Sequence, residues 1–239
     1  MLQDQGYCGT KTVVQWIGDQ ARTWEVQCRS WHCPRCAPRR RDQLRWLARG
    51  GNPRTFLTLT CNPAIGDSQV SRARAMADGW RKLVRRIKAA HGLERLEYLV
   101  VVEATQRGEP HLHILLKHLW IDQKWLSRQW QELTGAFIVD IRRVKDDRQI
   151  SSYVAKYVGK APHQFGTVKR YWHSKAWDER ESDDEERKFW LQAETHTSEL
   201  NHGEYMLIMI SEGWQQAWGR QAFARWVGPP GSHAPPILQ

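Results

Sequence analysis

Apolar and polar positions change their spacing along this chain in a definite order, and each change marks an element. Thr12 to Ile17 and Thr23 to Cys28 are β-like runs, and Gly18-Asp19-Gln20-Ala21-Arg22 between them predicts a hairpin turn. The basic stretch Arg39 to Leu47 reads as a helix stopped by Gly50-Gly51-Asn52-Pro53, the clearest boundary in the sequence. Arg54 to Cys61 alternates as a strand. Ser68 to His91 is a long basic helix whose apolar positions Met76, Trp80, Leu83, Val84 and Ile87 recur at three and four. Leu96 to Thr105 is mainly apolar and β-branched, hence a strand buried on both faces. Gln106-Arg107-Gly108-Glu109-Pro110 then turns the chain into a partner strand from His111 to Lys117. Asp122 caps a helix running to Leu133, Ala136 to Val144 is a strand, and Arg148 to Val158 is a helix.

From Arg54 onward the order is β-α-β-β-α-β-α. Two β-α-β halves predict an α+β fold: a ferredoxin-like or RNA-recognition-type antiparallel sheet, helices on one face and the other face open. Three consecutive segments are expected: a cysteine-rich module with its basic helix over 1–52, the sheet domain over 53–176, and an acidic, Trp-rich C-terminal region over 177–239. In that last region Tyr205 to Ile210 reads as a short strand and Glu212 to Trp226 as a helix, while Gly228-Pro229-Pro230-Gly231 reads as a loose end.

Charge sharpens this division. The chain of 239 residues carries 36 Lys and Arg against 26 Asp and Glu. Residues 53–175 hold 22 basic and 11 acidic groups, whereas residues 176–239 hold 5 and 11. A basic body of this size predicts a polyanionic partner, because each neutralised phosphate releases a counterion. No stretch approaches the roughly 18 apolar residues of a membrane span, and the polar start has no signal-peptide pattern. The expected location is therefore the cytoplasm, with no membrane partner. Five cysteines in such a chain point to metal or chemistry rather than to a disulfide scaffold.

The chemistry concentrates in two places. In a strand, residues two apart face the same way, so His111 and His113 present both imidazoles on one side. Hairpin pairing across the 106–110 turn brings Glu103 beside them, with Glu97 and Glu109 as weaker alternatives. Two imidazoles and a carboxylate suit a divalent cation such as Mg²⁺ or Mn²⁺ acting on a phosphate oxygen; the same donor set occurs in non-haem iron oxygenases. On the predicted helix 148–158, Tyr153, Lys156, Tyr157 and, just beyond, Lys160 share one face. A phenol is a poor nucleophile at neutral pH unless a cation favours phenolate, which Lys156 could supply.

Taken in order, Phe56-Leu57-Thr58-Leu59-Thr60, His111-Leu112-His113 and Tyr153-Val154-Ala155-Lys156-Tyr157 resemble the three motifs of the HUH endonuclease superfamily, over about residues 54–160. The third is similar to the two-tyrosine motif of the gene A replication proteins of small single-stranded DNA bacteriophages. The resemblance implies a rolling-circle replication initiator. His111, His113 and Glu103 would hold the metal, Tyr153 and Tyr157 would be nucleophiles with Lys156 beside them, and Thr58 and Thr60 would be structural. Nicking by transesterification would leave a 5′-phosphotyrosine link and a free 3′-hydroxyl. The partner would be a single-stranded DNA origin, exposed as a hairpin or by unwinding. Helicase-bearing relatives carry a Gly-x-x-x-x-Gly-Lys-Ser/Thr loop that this sequence lacks, so unwinding would need a host helicase, followed by a host polymerase. Arg81, Lys82, Arg85, Arg86, Arg142 and Arg143 are further candidates for tracking the DNA backbone, together with Lys160.

Cys28, Cys33 and Cys36, with Cys8 before the hairpin, supply four thiolates for a tetrahedral structural Zn²⁺, with His32 able to replace Cys8 or Cys28. A redox Cys-x-x-Cys is the competing reading. Residues 28–40 also look like the amino-terminal cysteine stretch of rolling-circle plasmid initiators. Cys61 reads as a buried thiol. Two rivals to the initiator remain at this point: an HUH transposase or relaxase, and a non-catalytic zinc-containing nucleic-acid-binding module.

Overall fold

The computed structural model describes residues 8–145, 163–178, 184–220 and 223–236. In chain order the elements are β1 (Thr12–Ile17), β2 (Gln20–Glu25), α1 (Cys36–Gly50), β3 (Thr55–Thr60), α2 (Gln69–Ala90), β4 (Tyr98–Ala104), β5 (Pro110–Leu116), α3 (Gln123–Thr134), β6 (Val139–Arg143) and β7 (Tyr171–His173). They continue with α4 (Asp184–Leu191), β8 (Glu194–Ser198), α5 (His202–Ser211), β9 (Gln215–Arg220) and β10 (Phe223–Val227). Two compact units result, one of residues 1–40 and 180–239, the other of residues 41–179.

In the unit of residues 41–179, β3-α2-β4-β5-α3-β6 fold into a sheet of order β6-β3-β5-β4-β7, every neighbour antiparallel. The predicted α+β class and its β-α-β-β-α-β order are therefore observed, and β7 adds a fifth strand that the hydrophobic pattern did not signal. Each strand of the four sends alternate residues to one core. Leu57, Leu59, Val100, Val102, Leu112, Ile114, Val139 and Ile141 pack beneath Met76, Trp80, Leu83 and Ile87 of α2 and Leu126 and Trp130 of α3. α2 starts at a capping box between Ser68 and Ser71, and Asp122 caps α3 at the Trp125 amide. The helices approach closely at Gly79, where a Cβ would lie 2.5 Å from Thr134 Cγ2 and 3.1 Å from the Trp130 ring. The helices thus cover one sheet face, and the residues of opposite parity, His111 and His113 among them, lie on the other.

The unit of residues 1–40 and 180–239 differs from the three consecutive segments expected. Its sheet has the order β8-β1-β2-β10-β9, so the amino-terminal hairpin is flanked on both sides by strands from the end of the chain. Two expectations here are corrected. The apolar run Tyr205 to Ile210 is helical, within α5, because Asn201 and Glu204 form a capping box ahead of it. Residues 212–226 are a hairpin, not a helix: Gly213 takes a positive φ of 81°, and Ala224 and Trp226 are buried alternately along β10. Val14, Trp16, Ala21, Tyr205, Met209, Trp214 and Trp226 make the core. Within it the Trp226 indole donates to Thr23 Oγ1, which lies 3.0 Å from His202 Nε2. The hairpin turn is also tighter than expected, only Gly18-Asp19, with Gly18 at φ 57°.

Trp130 is fully buried and its indole donates to the Thr60 carbonyl at 2.8 Å. Trp130→Ala should therefore lower unfolding stability by about 3–5 kcal/mol. Arg81→Ala, at an exposed surface, should change it by less than about 0.5 kcal/mol. Denaturant midpoints of the two variants check this.

Candidate active site

The site is built by the β4–β5 hairpin. Its turn is closed by Gly108 at φ 80°, whose amide donates to the Thr105 carbonyl, and by the Thr105 amide donating to the Glu109 carbonyl. In the resulting register Glu103 is the direct partner of His111, and Val101 that of His113. From the other side β3 places Thr60 opposite His111 and Thr58 opposite His113. Glu103, His111, His113, Thr58 and Thr60 all line one cleft of about 830 Å³ on the helix-free face of the sheet.

His113 is buried and fixed on three sides. Its Nε2 lies 2.7 Å from Glu103 Oε2, its Nδ1 lies 3.2 Å from Thr58 Oγ1, and its ring stacks on Phe56 with centroids 5.6 Å apart. His111 is half-buried with its ring edge-on to His113 at 6.2 Å. A hydroxyl can donate or accept, so Thr58 accommodates either neutral tautomer of His113. With Nδ1–H given to Thr58, the Nε2 lone pair is available to a cation, the usual second-partner arrangement of a ligating histidine. The donor set of two imidazoles and a carboxylate on one face fits a divalent cation, which would take the place of the proton between His113 and Glu103. Thr58 was expected to be structural only; its contact with His113 follows from strand register, which no local pattern reveals.

The competing carboxylates are already engaged. Glu109 receives both arms of the Arg72 guanidinium, at 2.7 and 2.8 Å, which holds its carboxyl below the ordinary range. Glu97 pairs with Lys117 at 3.1 Å. Cys61 is half-buried at the cleft wall, and burial, reinforced by Glu109 beside it, pushes its thiol up to about 11.

Residues 54–162 match the family model of the ORF2-type replication-associated protein. The match covers just under half of the chain, runs from β3 past the stretch holding Tyr153 and Tyr157, and supports the resemblance to rolling-circle replication initiators. No curated protein and no solved structure gives a significant match.

Against this replication-associated segment the other expected site residues divide. Tyr153, Lys156, Tyr157 and Lys160, with the helix predicted over 148–158, lie outside the described residues. Arg81, Lys82, Arg85 and Arg86 belong to α2, whose buried face packs on the sheet side opposite the histidines. Arg81 pairs there with Asp78, and Arg86 with Gln129 and Glu132, while Lys82 is exposed. Arg142 does line the cleft and pairs with Asp140 at 2.7 Å; Arg143 lies over the Trp120 ring at 4.7 Å. Arg107, in the β4–β5 turn, lines the cleft as well and was not singled out from sequence. Its position in a turn next to the His-bearing strand was the only signal. No helix among the described residues is long and apolar enough to cross a membrane.

Cys8, Cys28, Cys33 and Cys36 form a second cluster, their sulfurs all within 4.8 Å of one another. Cys8–Cys36, Cys8–Cys33 and Cys28–Cys36 sulfur distances are 3.3, 3.6 and 3.8 Å. A tetrahedron with Zn–S bonds of about 2.3 Å has edges of about 3.8 Å, so four thiolates here could hold a metal such as zinc. His32 is exposed and not part of the cluster. Burial, then Cys8, pushes the Cys36 thiol up to about 12. For Cys33 burial is outweighed by the backbone amides of Cys36 and Arg35, which bring it down to about 7. Elemental analysis of the purified chain should find one zinc, lost in Cys33→Ser and in Cys36→Ser but kept in His32→Ala and Cys61→Ser. Retention of zinc without Cys36 would remove the site.

Proposed function

We propose that this chain is a rolling-circle replication initiator, an endonuclease that nicks single-stranded DNA at an origin and joins itself to the cut end. The observation that carries the reading is the in-register pair Glu103–His111, with His113 on the same sheet face, inside a segment that matches a replication-associated family. In this reading His111, His113 and Glu103 hold Mg²⁺ or Mn²⁺, which when bound supplies Lewis-acid polarisation of a phosphate oxygen.

The chain's own residues orient and transfer. Phe56 and Thr58 fix the His113 ring, and Arg142 and Arg107 offer donors to neighbouring phosphates. The hydroxyl oxygen of Tyr153 or Tyr157 attacks phosphorus and gives up its proton as the bond to the 3′ oxygen breaks. That oxygen leaves and takes up a proton, which yields a 5′-phosphotyrosine link and a free 3′-hydroxyl for priming. Lys156 favours the phenolate as it forms. One phosphodiester replaces another, so reversal of the step rejoins ends at termination, and the second tyrosine can cut the regenerated origin while the first still holds the old end. A host helicase and polymerase complete the cycle. The cysteine cluster holds its zinc as a structural brace.

Incubation of the full chain with labelled single-stranded DNA and Mn²⁺, followed by denaturing electrophoresis, should give a covalent adduct. His113→Ala and the double Tyr153→Phe/Tyr157→Phe variant should abolish it, and Thr58→Val should raise the Mn²⁺ concentration needed by about tenfold. An adduct that persists without both phenols, or no adduct with either metal, would falsify the mechanism.

A further inference from the structure

We propose that Phe137 and Ile138, at the lip of the histidine cleft, form a stacking surface for unpaired bases of the single-stranded DNA whose phosphate is held there. The proposal deepens the nuclease reading and rests on the cleft being the DNA site.

Two adjacent large apolar side chains stand 61% exposed each, immediately before β6. Their exposure does not come from a loose backbone. Thr60 Oγ1 donates to the Ile138 carbonyl at 2.8 Å, Ser127 Oγ donates to the Phe137 carbonyl, and Gln123 Nε2 donates to the Val139 carbonyl at 3.1 Å. Thr60 is in turn tied to the core by the Trp130 indole. The backbone is therefore pinned on both sides while the side chains project into solvent. A rigid apolar surface of this kind binds at low entropic cost.

The surroundings identify the occupant. Ile138 lines the same cleft as Glu103, His111 and His113, and so does Arg142, four residues along the strand and about 13 Å away. β6 ends the sheet, so its outer side is open, and Arg143 stands at its far end over Trp120. The unit of residues 41–179 carries 25 Lys and Arg against 14 Asp and Glu. Bases on apolar side chains with phosphates on neighbouring guanidiniums is how sequence-tolerant binders track a single strand. Two side chains are too small a patch for a stable protein interface, which needs on the order of 1,200 Å².

The test measures binding of the full chain to a fluorescent single strand, and to its blunt duplex, in buffer without Mg²⁺ or Mn²⁺. The double Phe137→Ala/Ile138→Ala variant should bind the single strand about tenfold more weakly, with the slope of log Kd against log salt unchanged because stacking releases no counterions. Phe137→Trp should keep the affinity, and Arg142→Ala should reduce the slope by about 0.7. Unchanged affinity in the double variant, an equal loss on the duplex, or a loss that appears wholly in the salt slope would overturn the proposal. Binding is read without catalysis, so the two readings fail separately. Phe137-dependent binding with no tyrosine adduct rejects only the nuclease, and an adduct with Phe137-independent binding rejects only the stacking surface.

Discussion

The antiparallel pairing of β4 with β5 is the constraint on which the candidate active site depends. It sets Glu103 across from His111 and carries His113 onto the same face, and it does so only in one register. A slip of one residue would turn Leu112, Ile114 and Leu116 to solvent and drive both histidines beneath α2. All three apolar residues are fully buried in the observed register. The hydrophobic layer on the back of the sheet thus fixes the polar geometry on its front.

Several contacts pass from that layer to the site. Trp130 belongs to the core under α3, yet its indole holds the carbonyl of Thr60, a cleft residue paired with His111. Thr58 lies between two core residues, Leu57 and Leu59, and turns its hydroxyl to His113. Arg72 reaches from α2 to occupy Glu109, so Glu103 is the hairpin carboxylate left beside the imidazoles. Donors held in this way need little reorganisation when charge arrives, which is the condition for electrostatic catalysis.

The other unit answers a different problem. A two-stranded hairpin such as β1–β2 is marginal by itself. Here β8 and β10 extend it, with β9, into a five-stranded sheet, α5 packs against it, and the four cysteine sulfurs gather next to it in sequence. The acidic, Trp-rich end of the chain is part of this sheet and core, with Trp214 and Trp226 buried.

How much of this was legible depends on whether the deciding interaction was local. α2 and α3 follow from apolar spacing and from Ser68 and Asp122 as caps. The β4–β5 hairpin follows from two β-branched runs around Gly108, and the donor set follows from period-two geometry. The cysteine spacing announced a metal cluster before any sulfur distance was known. The end of the chain was misread where tryptophan and apolar spacing suits either period, although the Asn201–Glu204 capping box was available as a signal. What the sequence by itself determined is therefore the set of elements stabilised by nearest neighbours, and the residue types that bring chemistry. Tertiary structure decided that β7 joins the sheet, that the chain's two ends share one sheet, that Thr58 holds His113, and that Arg81, Lys82, Arg85 and Arg86 sit on the helix layer behind the cleft. Each of those rests on pairing or packing between residues far apart in the chain, and no local periodicity encodes which distant strand will supply the partner.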